Sequence, residues 1–277
     1  ITIMADKVWY VTGCSNGIGK ALVQLLLTSG ARVAGTSRNK QSLDDVFGVD
    51  NQNFLALEVD LTSEASIQQS ITATTAKFGT IDVLVNNAGY GQVGAVEDLT
   101  DSDIQKNFEI NFYAPLRVIR LVAPLMRAQH SGYIMNVSSM GALVYFPAMA
   151  SYCATKSALN MATDALCQEL KPFGVKVLTI NPGAFKSDFL NSSKIQVANP
   201  ENTVYKELMA GFDMAVQNPE AVLNGDTSKL ANVFLKVVEY QGELPVHVYV
   251  GADAHAAINA KAQQITKDLE AWGHLTN

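Results

Sequence analysis

The chain alternates between short apolar runs and longer amphipathic stretches over most of its length. The runs are rich in β-branched residues and lie at 8–11, 32–35, 54–57, 81–85, 133–137, 175–180 and 246–250, which predicts strands there. Apolar residues recur with helical spacing at 18–28, 64–77, 103–129, 148–170 and 228–240, which predicts helices. Strands that alternate with helices of this length indicate βαβ units and a parallel sheet.

The strand candidates are apolar at nearly every residue, as in the valine and leucine run at 83–85. Strands of this kind are covered by helices on both faces of their sheet. We therefore predict an α/β fold, with one doubly wound parallel sheet of about seven strands in a single domain that spans residues 1–277. The polar segment 186–219 follows the sixth strand, at the edge where open α/β sheets bind ligands. It is either a surface excursion or a small substrate lid, and we favour the lid.

The composition is typical of a compact soluble protein, with 48% hydrophobic and 17% charged residues. The net charge of −6 and the pI of about 5.2 argue against nucleic acid or an anionic membrane as a partner. The three cysteines lack the spacing of a metal site, so we expect reduced thiols and no metal. No signal peptide is visible, and residues 1–3, which precede Met4, are a candidate cloning remnant. We expect a cytoplasmic protein.

The first strand runs into a glycine-rich segment, Thr12-Gly13-Cys14-Ser15-Asn16-Gly17-Ile18-Gly19, which leads into the first helix. Glycines here let the backbone turn tightly and approach a pyrophosphate, and the helix N-terminus offers it free N–H groups. The spacing is G-x-x-x-G-x-G, which differs from the general G-x-G-x-x-G fingerprint. Its position between a first strand and a first helix predicts a dinucleotide site formed by Gly13, Ser15, Asn16, Gly17, Ile18 and Gly19.

The second strand ends in Thr36-Ser37-Arg38-Asn39-Lys40, where NAD-binding chains place an acidic residue for the ribose hydroxyls. This run contains no carboxylate. A 2′-phosphate would meet the Ser37 hydroxyl and the Arg38 guanidinium without repulsion. We therefore predict that NADP(H) is preferred over NAD(H), although Arg38 and Lys40 also fit a simple solvated turn.

Tyr152 and Lys156 are four residues apart in a helix-forming stretch and so project from one face of that helix. An unperturbed phenol has a pKa of about 10 and is a poor acid or base at neutral pH. At an effective dielectric of about 20 and roughly 5 Å, a lysine ammonium would stabilise the phenolate by about 3 kcal/mol, or about two pKa units. Ser139, thirteen residues earlier, is placed to bind the oxygen on which Tyr152 acts. By spacing alone, a solvated surface pair fits the same residues.

Taken together, these segments resemble the short-chain dehydrogenase/reductase family along essentially the whole chain. The resemblance is carried by the loop at 12–19, by Asn86-Asn87-Ala88-Gly89, by Asn111, by Ser139, Tyr152 and Lys156, and by Asn181-Pro182-Gly183. It implies a Rossmann-type fold and a reversible hydride transfer between NADP(H) and a ketone or aldehyde and its alcohol.

The resemblance implies a role for each catalytic candidate. Tyr152 would exchange a proton with the substrate oxygen, and Ser139 would hydrogen-bond that oxygen as charge develops on it. Lys156 would lower the pKa of Tyr152 and bind the nicotinamide ribose, and Asn111 would anchor a water beside Lys156 in a proton relay. The spacing to Tyr152 favours Ser139 over Ser138, which we keep as a supporting residue.

The resemblance also implies further cofactor contacts. Asp60 and Leu61 would hold the adenine, although an aspartate after a strand is also a common helix cap. The backbone of Asn87, Ala88 and Gly89 would pass beside the adenosine ribose. The nicotinamide would be bordered by Pro182, Gly183, Phe185 and Ser187. Many relatives have threonine in place of Ser187, and relatives that prefer NADP often have a basic residue in place of Asn16.

Three segments would form the substrate walls in this architecture: 90–96, 140–149 and the lid around 185–214. Their side chains are mainly apolar and aromatic and include no basic cluster for a phosphate or carboxylate. We therefore predict a small hydrophobic carbonyl or alcohol substrate. Any one of these side chains also fits a place in the core. The predicted substrate contacts are Ser139, Leu143, Tyr145, Tyr152 and Phe189.

Two other functions share parts of this pattern. A dinucleotide-binding regulator of the same fold would be expected to lack part of the set Ser139, Tyr152, Lys156 and Asn111, which is complete here. A sugar-nucleotide epimerase or dehydratase typically has a larger C-terminal domain than 277 residues readily allow. The resemblance also implies a homodimer or homotetramer built through the helix at 148–170.

Overall fold

The structure is a computed structural model, and it describes residues 6–186, 195–199, 201, 204–223 and 225–275. The strands are β1 (Val8–Val11), β2 (Arg32–Ser37), β3 (Phe54–Glu58), β4 (Val83–Asn86), β5 (Gly91–Val93), β6 (Gly132–Val137), β7 (Val175–Pro182), β8 (Ile195–Val197) and β9 (His247–Val250). The α-helices are α1 (Gly17–Thr28), α2 (Gln41–Phe47), α3 (Glu64–Phe78), α4 (Asp101–Phe108), α5 (Ala114–Gln129), α6 (Ala150–Leu170), α7 (Lys206–Gln217), α8 (Pro219–Val222), α9 (Thr227–Glu239) and α10 (Ala252–Trp272).

The main sheet is parallel, and its strands follow the order β3-β2-β1-β4-β6-β7-β9. The predicted doubly wound α/β fold is confirmed, and every predicted strand overlaps a strand of this sheet. The chain order reverses between β1 and β4, because β1 continues to β2 on one side and β4 continues to β6 on the other. Such a switch point opens a crevice at the carboxyl ends of the strands.

Each face of the sheet has its own apolar core. Successive residues of a strand point to opposite faces. On β1, Trp9 and Val11 belong to the cluster that includes α1 and α9, whereas Val8 and Tyr10 belong to the cluster that includes α3 and α5. The continuous apolar runs of the sequence therefore reflect strands that are covered on both sides.

Several elements differ from the prediction or extend it. A π-helical turn, Glu109–Tyr113, separates α4 from α5 within the predicted helix at 103–129. The short strands β5 and β8 form a separate parallel ribbon, which fastens part of the predicted lid to the chain just after β4. Helix α10 has no predicted counterpart, because its alanine-rich and polar sequence gives a weak apolar signal. No helix in the described part of the chain has the length and apolar character needed to span a bilayer.

Candidate active site

Two glycines hold the loop between β1 and α1 against the segment that follows β4. Gly13 has a φ of +66°, which other residues disfavour, and a Cβ there would lie 2.8 Å from Cα of Ala88. A Cβ on Gly19 would lie 2.5 Å from Nδ2 of Asn87 and 2.7 Å from the Gly13 carbonyl oxygen. The chain itself therefore requires glycine at both positions, whether or not a cofactor is bound.

Thr12 and Asn87 join the same two segments by hydrogen bonds. The Thr12 hydroxyl accepts from the backbone N–H groups of Asn87 (2.9 Å) and Ala88 (3.1 Å). The Asn87 side chain donates to the carbonyl oxygens of Thr12 (3.0 Å) and Gly13 (2.9 Å). We call these contacts the Thr12–Asn87 clamp. Thr12 was not among the predicted site residues, although a threonine at the end of an apolar strand was a signal for it.

The N-terminus of α1 is open to an anion. Asn16 is the N-cap residue, its side chain makes no capping hydrogen bond, and no acidic residue lies in the first turn, which begins with Gly17 and Ile18. The first N–H groups of a helix have no partner inside the helix and lie at the positive end of its dipole. A pyrophosphate bound here would supply the missing acceptors.

A cavity of about 460 Å³ opens beside this helix end, at the carboxyl ends of the strands around the switch point. It brings together predicted residues from separate segments: Gly13, Ser15, Asn16, Ser37, Arg38, Asp60, Leu61, Ala88 and Gly89. Its wall also includes residues that were not predicted to bind a cofactor, among them Thr62, Tyr90, Lys106, Glu109 and Gln196. Their distant positions in the sequence gave no sign that α4, the π turn and β8 face the glycine loop.

The end of β2 contains charges of both signs. Arg38 is exposed, lines the cavity and forms no ion pair with any other described residue. Glu58 on β3 is in register with Ser37, and its carboxylate accepts a hydrogen bond from the backbone N–H of Lys40 at 3.2 Å. The sequence gave no sign of this nearby carboxylate, because Glu58 belongs to a different strand. Arg38 lines the cavity, whereas Glu58 does not.

Asp60 is held by the residue two positions later. One carboxylate oxygen accepts hydrogen bonds from the backbone N–H (2.9 Å) and the hydroxyl (2.7 Å) of Thr62. These bonds lower the pKa of Asp60, so the side chain is ionised at neutral pH. The cap of α3 is Ser63, whose hydroxyl accepts from the N–H of Ser66. Asp60 is therefore not the helix cap, and it is positioned on the cavity wall.

Tyr152 and Lys156 lie one turn apart on α6 and are both buried, with 7% and 5% of their surfaces exposed. The reading as a solvated surface pair is therefore wrong. The ammonium group of Lys156 donates a hydrogen bond to the carbonyl oxygen of Val137, at the end of β6, at 3.0 Å. Its nitrogen lies 5.8 Å from the centre of the Tyr152 ring.

Burial dominates the protonation of both side chains. It raises the pKa of Tyr152 to about 12, and a hydrogen bond with Ser139 offsets only part of the rise. It lowers the pKa of Lys156 to about 8. The predicted lowering of the Tyr152 pKa is wrong for the protein chain alone, because attraction to the lysine was considered without the cost of removing both charges from water. The chain presents a neutral phenol beside a lysine that is easily deprotonated.

Ser139 is the serine that contacts Tyr152. It is the N-cap residue of the 3-10 turn Met140–Ala142, where its hydroxyl accepts from the N–H of Gly141 at 3.0 Å, and it also hydrogen-bonds Tyr152. Ser138 is buried, and its hydroxyl donates to the carbonyl oxygen of Lys156 at 3.4 Å. Ser139 is therefore the serine beside the phenol, and its contact with the substrate oxygen stays a prediction.

Asn111 lies in the π turn and holds the backbone of Tyr90. Its side-chain oxygen accepts from the Tyr90 N–H (3.0 Å), and its amide nitrogen donates to the Tyr90 carbonyl (2.9 Å) and to the Thr155 hydroxyl (3.1 Å). A Cβ on Gly89 would lie 3.0 Å from Oδ1 of Asn111 and 3.5 Å from Nζ of Lys156. The side chain of Asn111 therefore holds both backbone polar groups of Tyr90 and the Thr155 hydroxyl in place.

Asn107 is a further residue of this site that sequence reasoning did not identify. Its amide nitrogen donates to the carbonyl oxygen of Tyr90 at 3.2 Å, and its amide oxygen accepts from the Ser151 hydroxyl at 3.2 Å. Asn107 and Asn111 are both fully buried and together form what we call the Asn107–Asn111 clamp. The contacts of Asn107 join segments that are distant in the sequence, so no local pattern signalled its role.

The carboxyl end of β7 is fixed by the last helix. Gly183 follows Pro182 at the end of β7, and a Cβ on Gly183 would overlap the carboxylate of Asp253 on α10. That carboxylate accepts from the N–H of Ala184 at 2.7 Å. The ring of Phe185 is buried in the core and lies over Gly225. Its contact with the nicotinamide stays a prediction. Ser187 lies outside the described residues.

The predicted substrate residues differ in their exposure, whereas many of the predicted cofactor residues line one cavity. Leu143 is 41% exposed and Tyr145 is 79% exposed, so Tyr145 does not line an enclosed pocket in this structure. A solvated position on the turn after β6 accounts for this. Phe189 lies outside the described residues. A second cavity of about 350 Å³ lies between β8 and α7 and is lined by apolar residues that include Met209 and Phe212, but not by Ser139 or Tyr152.

Comparison with known proteins identifies close relatives over the full chain. A family profile described as short chain dehydrogenase matches residues 7–198. The curated protein "Oxidoreductase BOA17" of Botryotinia fuckeliana (strain B05.10) is 31% identical over 273 residues, which is 98% of each chain.

Solved structures give the same result. A short-chain dehydrogenase from Streptomyces avermitilis superposes with a TM-score of 0.89 at 32% identity and covers 98% of both chains. A short chain dehydrogenase from Burkholderia cenocepacia J2315 in complex with NADP has a TM-score of 0.70 at 25% identity, with coverage of 98% and 95%. A 3-ketoacyl-(acyl-carrier-protein) reductase from Brucella melitensis complexed with NADH has a TM-score of 0.74 at 25% identity, with coverage of 88% and 96%. The profile match and the full-length relatives show that this chain belongs to the short-chain dehydrogenase family of oxidoreductases.

Proposed function

We propose that this oxidoreductase uses NADP(H) to interconvert a hydrophobic ketone or aldehyde and its alcohol. The observation that carries the proposal is the hydrogen bond between the partly buried Ser139 and the buried Tyr152, with the buried Lys156 one turn along α6. Buried titratable side chains that lie next to one another are characteristic of sites that transfer protons. The open end of α1 and the 460 Å³ cavity fit a dinucleotide, which supplies or accepts the hydride when bound.

Tyr152 is proposed to act as the general acid in the reduction. Its raised pKa of about 12 keeps the phenol protonated over the physiological range, so the proton is available for the substrate oxygen. Ser139 would donate a hydrogen bond to the same oxygen and stabilise the negative charge that develops on it. Lys156, when protonated, would stabilise the phenolate left behind and offset part of the cost of forming that charge in a buried site.

The proton would reach Tyr152 through Lys156 and the space between Lys156 and Asn111. Lys156 has a pKa of about 8 and so exchanges its proton readily near neutral pH. Gly89 leaves the space between Lys156 and Asn111 open, since a Cβ there would contact both side chains. A water held by the main-chain carbonyl of Asn111 would complete the relay that the family resemblance implies.

The preference for NADP(H) rests on Arg38. Its guanidinium lines the cavity and forms no ion pair with another described residue, which suits a 2′-phosphate. The test is the ratio of kcat/KM for NADPH to that for NADH in the wild type, Arg38→Asp and Glu58→Gln. Arg38→Asp should shift the ratio toward NADH by at least about tenfold, since one charge pair is lost and one repulsion is added. An unchanged ratio in Arg38→Asp would mean that the assignment is wrong.

The substrate class is proposed from the apolar and aromatic character of the segments near the site. The test is the loss of NADPH absorbance with a panel of hydrophobic ketones, with a phosphorylated and a carboxylated ketone as matched controls. We expect turnover of apolar ketones and little turnover of the charged ones. NADPH binding without turnover of any ketone would instead support a dinucleotide-binding regulator. Assembly as a homodimer or homotetramer and a cytoplasmic location stay predictions.

A further inference from the structure

Helix α10 carries an apolar stripe that the rest of the described chain leaves largely uncovered. Its members recur at intervals of three and four residues and lie along one face of the helix: Ala254, Ile258, Ala262, Ile265, Leu269 and Trp272. The stripe begins in the core at Ala254, but every residue from 262 to 272 is exposed. Leu269 and Trp272 are 69% and 65% exposed. Neighbouring large apolar side chains that are exposed along one helix face, here Ile265, Leu269 and Trp272, mark an interaction surface.

The charges beside the stripe indicate which surface fits it. Lys261 and Asp268 are seven residues apart, so they lie on the same flank of the stripe. Neither forms an ion pair with another residue in the described part of the chain. In an antiparallel pair of identical helices, equal flanks meet and the N-terminal half of one helix faces the C-terminal half of the other. Lys261 would then meet Asp268 of the partner subunit, and the reverse contact would form by symmetry.

Other occupants fit the charges less well. A parallel pair would place this flank against the opposite one, which carries Asn259 and Thr266 and offers no complementary charge. An anionic membrane favours helices with a basic polar face. On the exposed part of α10, Lys261 and Lys267 are balanced by Asp268 and Glu270, so the polar face has no excess of positive charge.

We propose that α10 binds a second copy of this chain as an antiparallel helix pair. The two-fold axis passes beside Ile265, Ile258 packs against the partner subunit's Trp272, and Lys261 pairs with the partner subunit's Asp268. This contact is separate from α6, and it does not depend on the proposed enzymatic function. A single pair of helices is a small interface, so the dimer should dissociate on dilution.

Charge reversal tests the proposal, with sedimentation velocity over a series of protein concentrations as the measurement. Lys261→Asp and Asp268→Lys should each weaken the self-association made by α10 by about tenfold, because each replaces two attractions by two repulsions. The double variant Lys261→Asp/Asp268→Lys should restore wild-type dimerisation. The control Lys267→Asp, on the face opposite the stripe, should have no effect. The proposal is overturned by a wild type that stays monomeric at every concentration, which would assign the stripe to a different partner. A wild-type assembly whose size at every concentration is unchanged by both single reversals also overturns it.

Disulfide cross-linking tests the register. Ile265→Cys should form a covalent dimer under mild oxidation, because the two copies of residue 265 meet at the axis. Trp272→Cys should not, because residue 272 faces residue 258 of the partner subunit. The wild type, whose cysteines Cys14, Cys153 and Cys167 lie on other elements, is the blank. Cross-linking at both engineered positions would show a parallel pair and overturn the proposed orientation.

Discussion

The two clamps on either side of the segment 87–90 are built in different ways. The Thr12–Asn87 clamp joins two loops at the ends of neighbouring strands, largely through backbone groups and through glycines that exclude a side chain. The Asn107–Asn111 clamp reaches the backbone of Tyr90 from a different helix through two buried asparagine side chains. The first clamp shapes the nucleotide side of the cavity, and the second shapes the side where Lys156 and Tyr152 lie.

The two clamps should respond differently to amino-acid substitutions. Backbone packing around glycine has no room for an added methyl group, so the nucleotide side should fail sharply when it is crowded. A side-chain hydrogen bond in the core can be lost while the fold survives, at a cost of about 1–3 kcal/mol for an unpaired buried group. The reaction side should therefore lose its alignment before the protein loses its fold.

Among the changes that compare the two clamps, Gly19→Ala on the nucleotide side should have the largest effect. Its Cβ would lie 2.5 Å from the Asn87 side chain and 2.7 Å from the Gly13 carbonyl, so the clamp must shift. We expect the Kd for NADPH to rise by about 10- to 100-fold, measured by nucleotide fluorescence. The matched control is Gly211→Ala within α7, where a Cβ would meet nothing within 4 Å. Equal affinities in the two variants would contradict the crowded-loop account.

The second prediction concerns Lys156 and pH on the reaction side. Its pKa is lowered from an ordinary 10.5 to about 8, so between these pH values the folded protein holds fewer protons than the unfolded chain. The free energy of unfolding should therefore rise by about 1–3 kcal/mol as the pH rises from 8 to 10.5 and the ammonium loses its proton. Below pH 8 the lysine is charged in both states, so the folded protein bears the full cost of burying the ammonium.

Chemical denaturation of the cofactor-free wild type and of Lys156→Met measures this contribution as a difference. Lys156→Met should be the more stable protein at pH 7, and its advantage should shrink by pH 10. Tyr152 acts in the opposite direction only above pH 10, where its raised pKa of about 12 makes the folded state bind more protons than the unfolded one. Parallel stability curves for the two proteins between pH 7 and 10 would show that Lys156 is not desolvated.

Asn107→Leu separates the two clamps directly. It removes one hydrogen bond to Tyr90 and leaves the Ser151 hydroxyl without its acceptor. We expect the free energy of unfolding to fall by about 1–2 kcal/mol and kcat to fall by about tenfold through misplacement of the segment 87–90. The Kd for NADPH should change less than kcat, and the exposed control Asn232→Leu on α9 should change neither. A larger effect on the Kd than on kcat would contradict the division between the two sides.

The smallest effect is expected at the end of β7. Asp253→Leu removes the acceptor for the Ala184 N–H, so the turn after Pro182 should loosen. The KM for NADPH should rise by about three- to tenfold, which corresponds to the net free energy of about one hydrogen bond. Asp253→Asn keeps an acceptor oxygen, so its KM for NADPH should lie close to the wild-type value. If the site needed only a negative charge at the start of α10, Asp253→Asn would have as high a KM as Asp253→Leu.

The same contrast explains how much the sequence could predict. The glycine loop, the strands and the Ser139, Tyr152 and Lys156 set depend on local conformation and short spacings, so their residues could be named in advance. Asn107, Glu58 and Asp253 act through contacts between distant segments, which no local pattern encodes. The pKa of Tyr152 was misjudged for a related reason, since spacing shows which charges are near and gives no measure of burial.

We propose that Tyr152 transfers a proton at a site whose nucleotide side is built independently of it. The most direct test measures NADPH binding and single-turnover hydride transfer to a reactive ketone in the wild type, Tyr152→Phe and the neighbouring control Cys153→Ala. We expect the Kd for NADPH to stay within about twofold in both variants, while the hydride-transfer rate falls by about 10²- to 10⁴-fold in Tyr152→Phe alone. A wild-type rate in Tyr152→Phe would contradict the account.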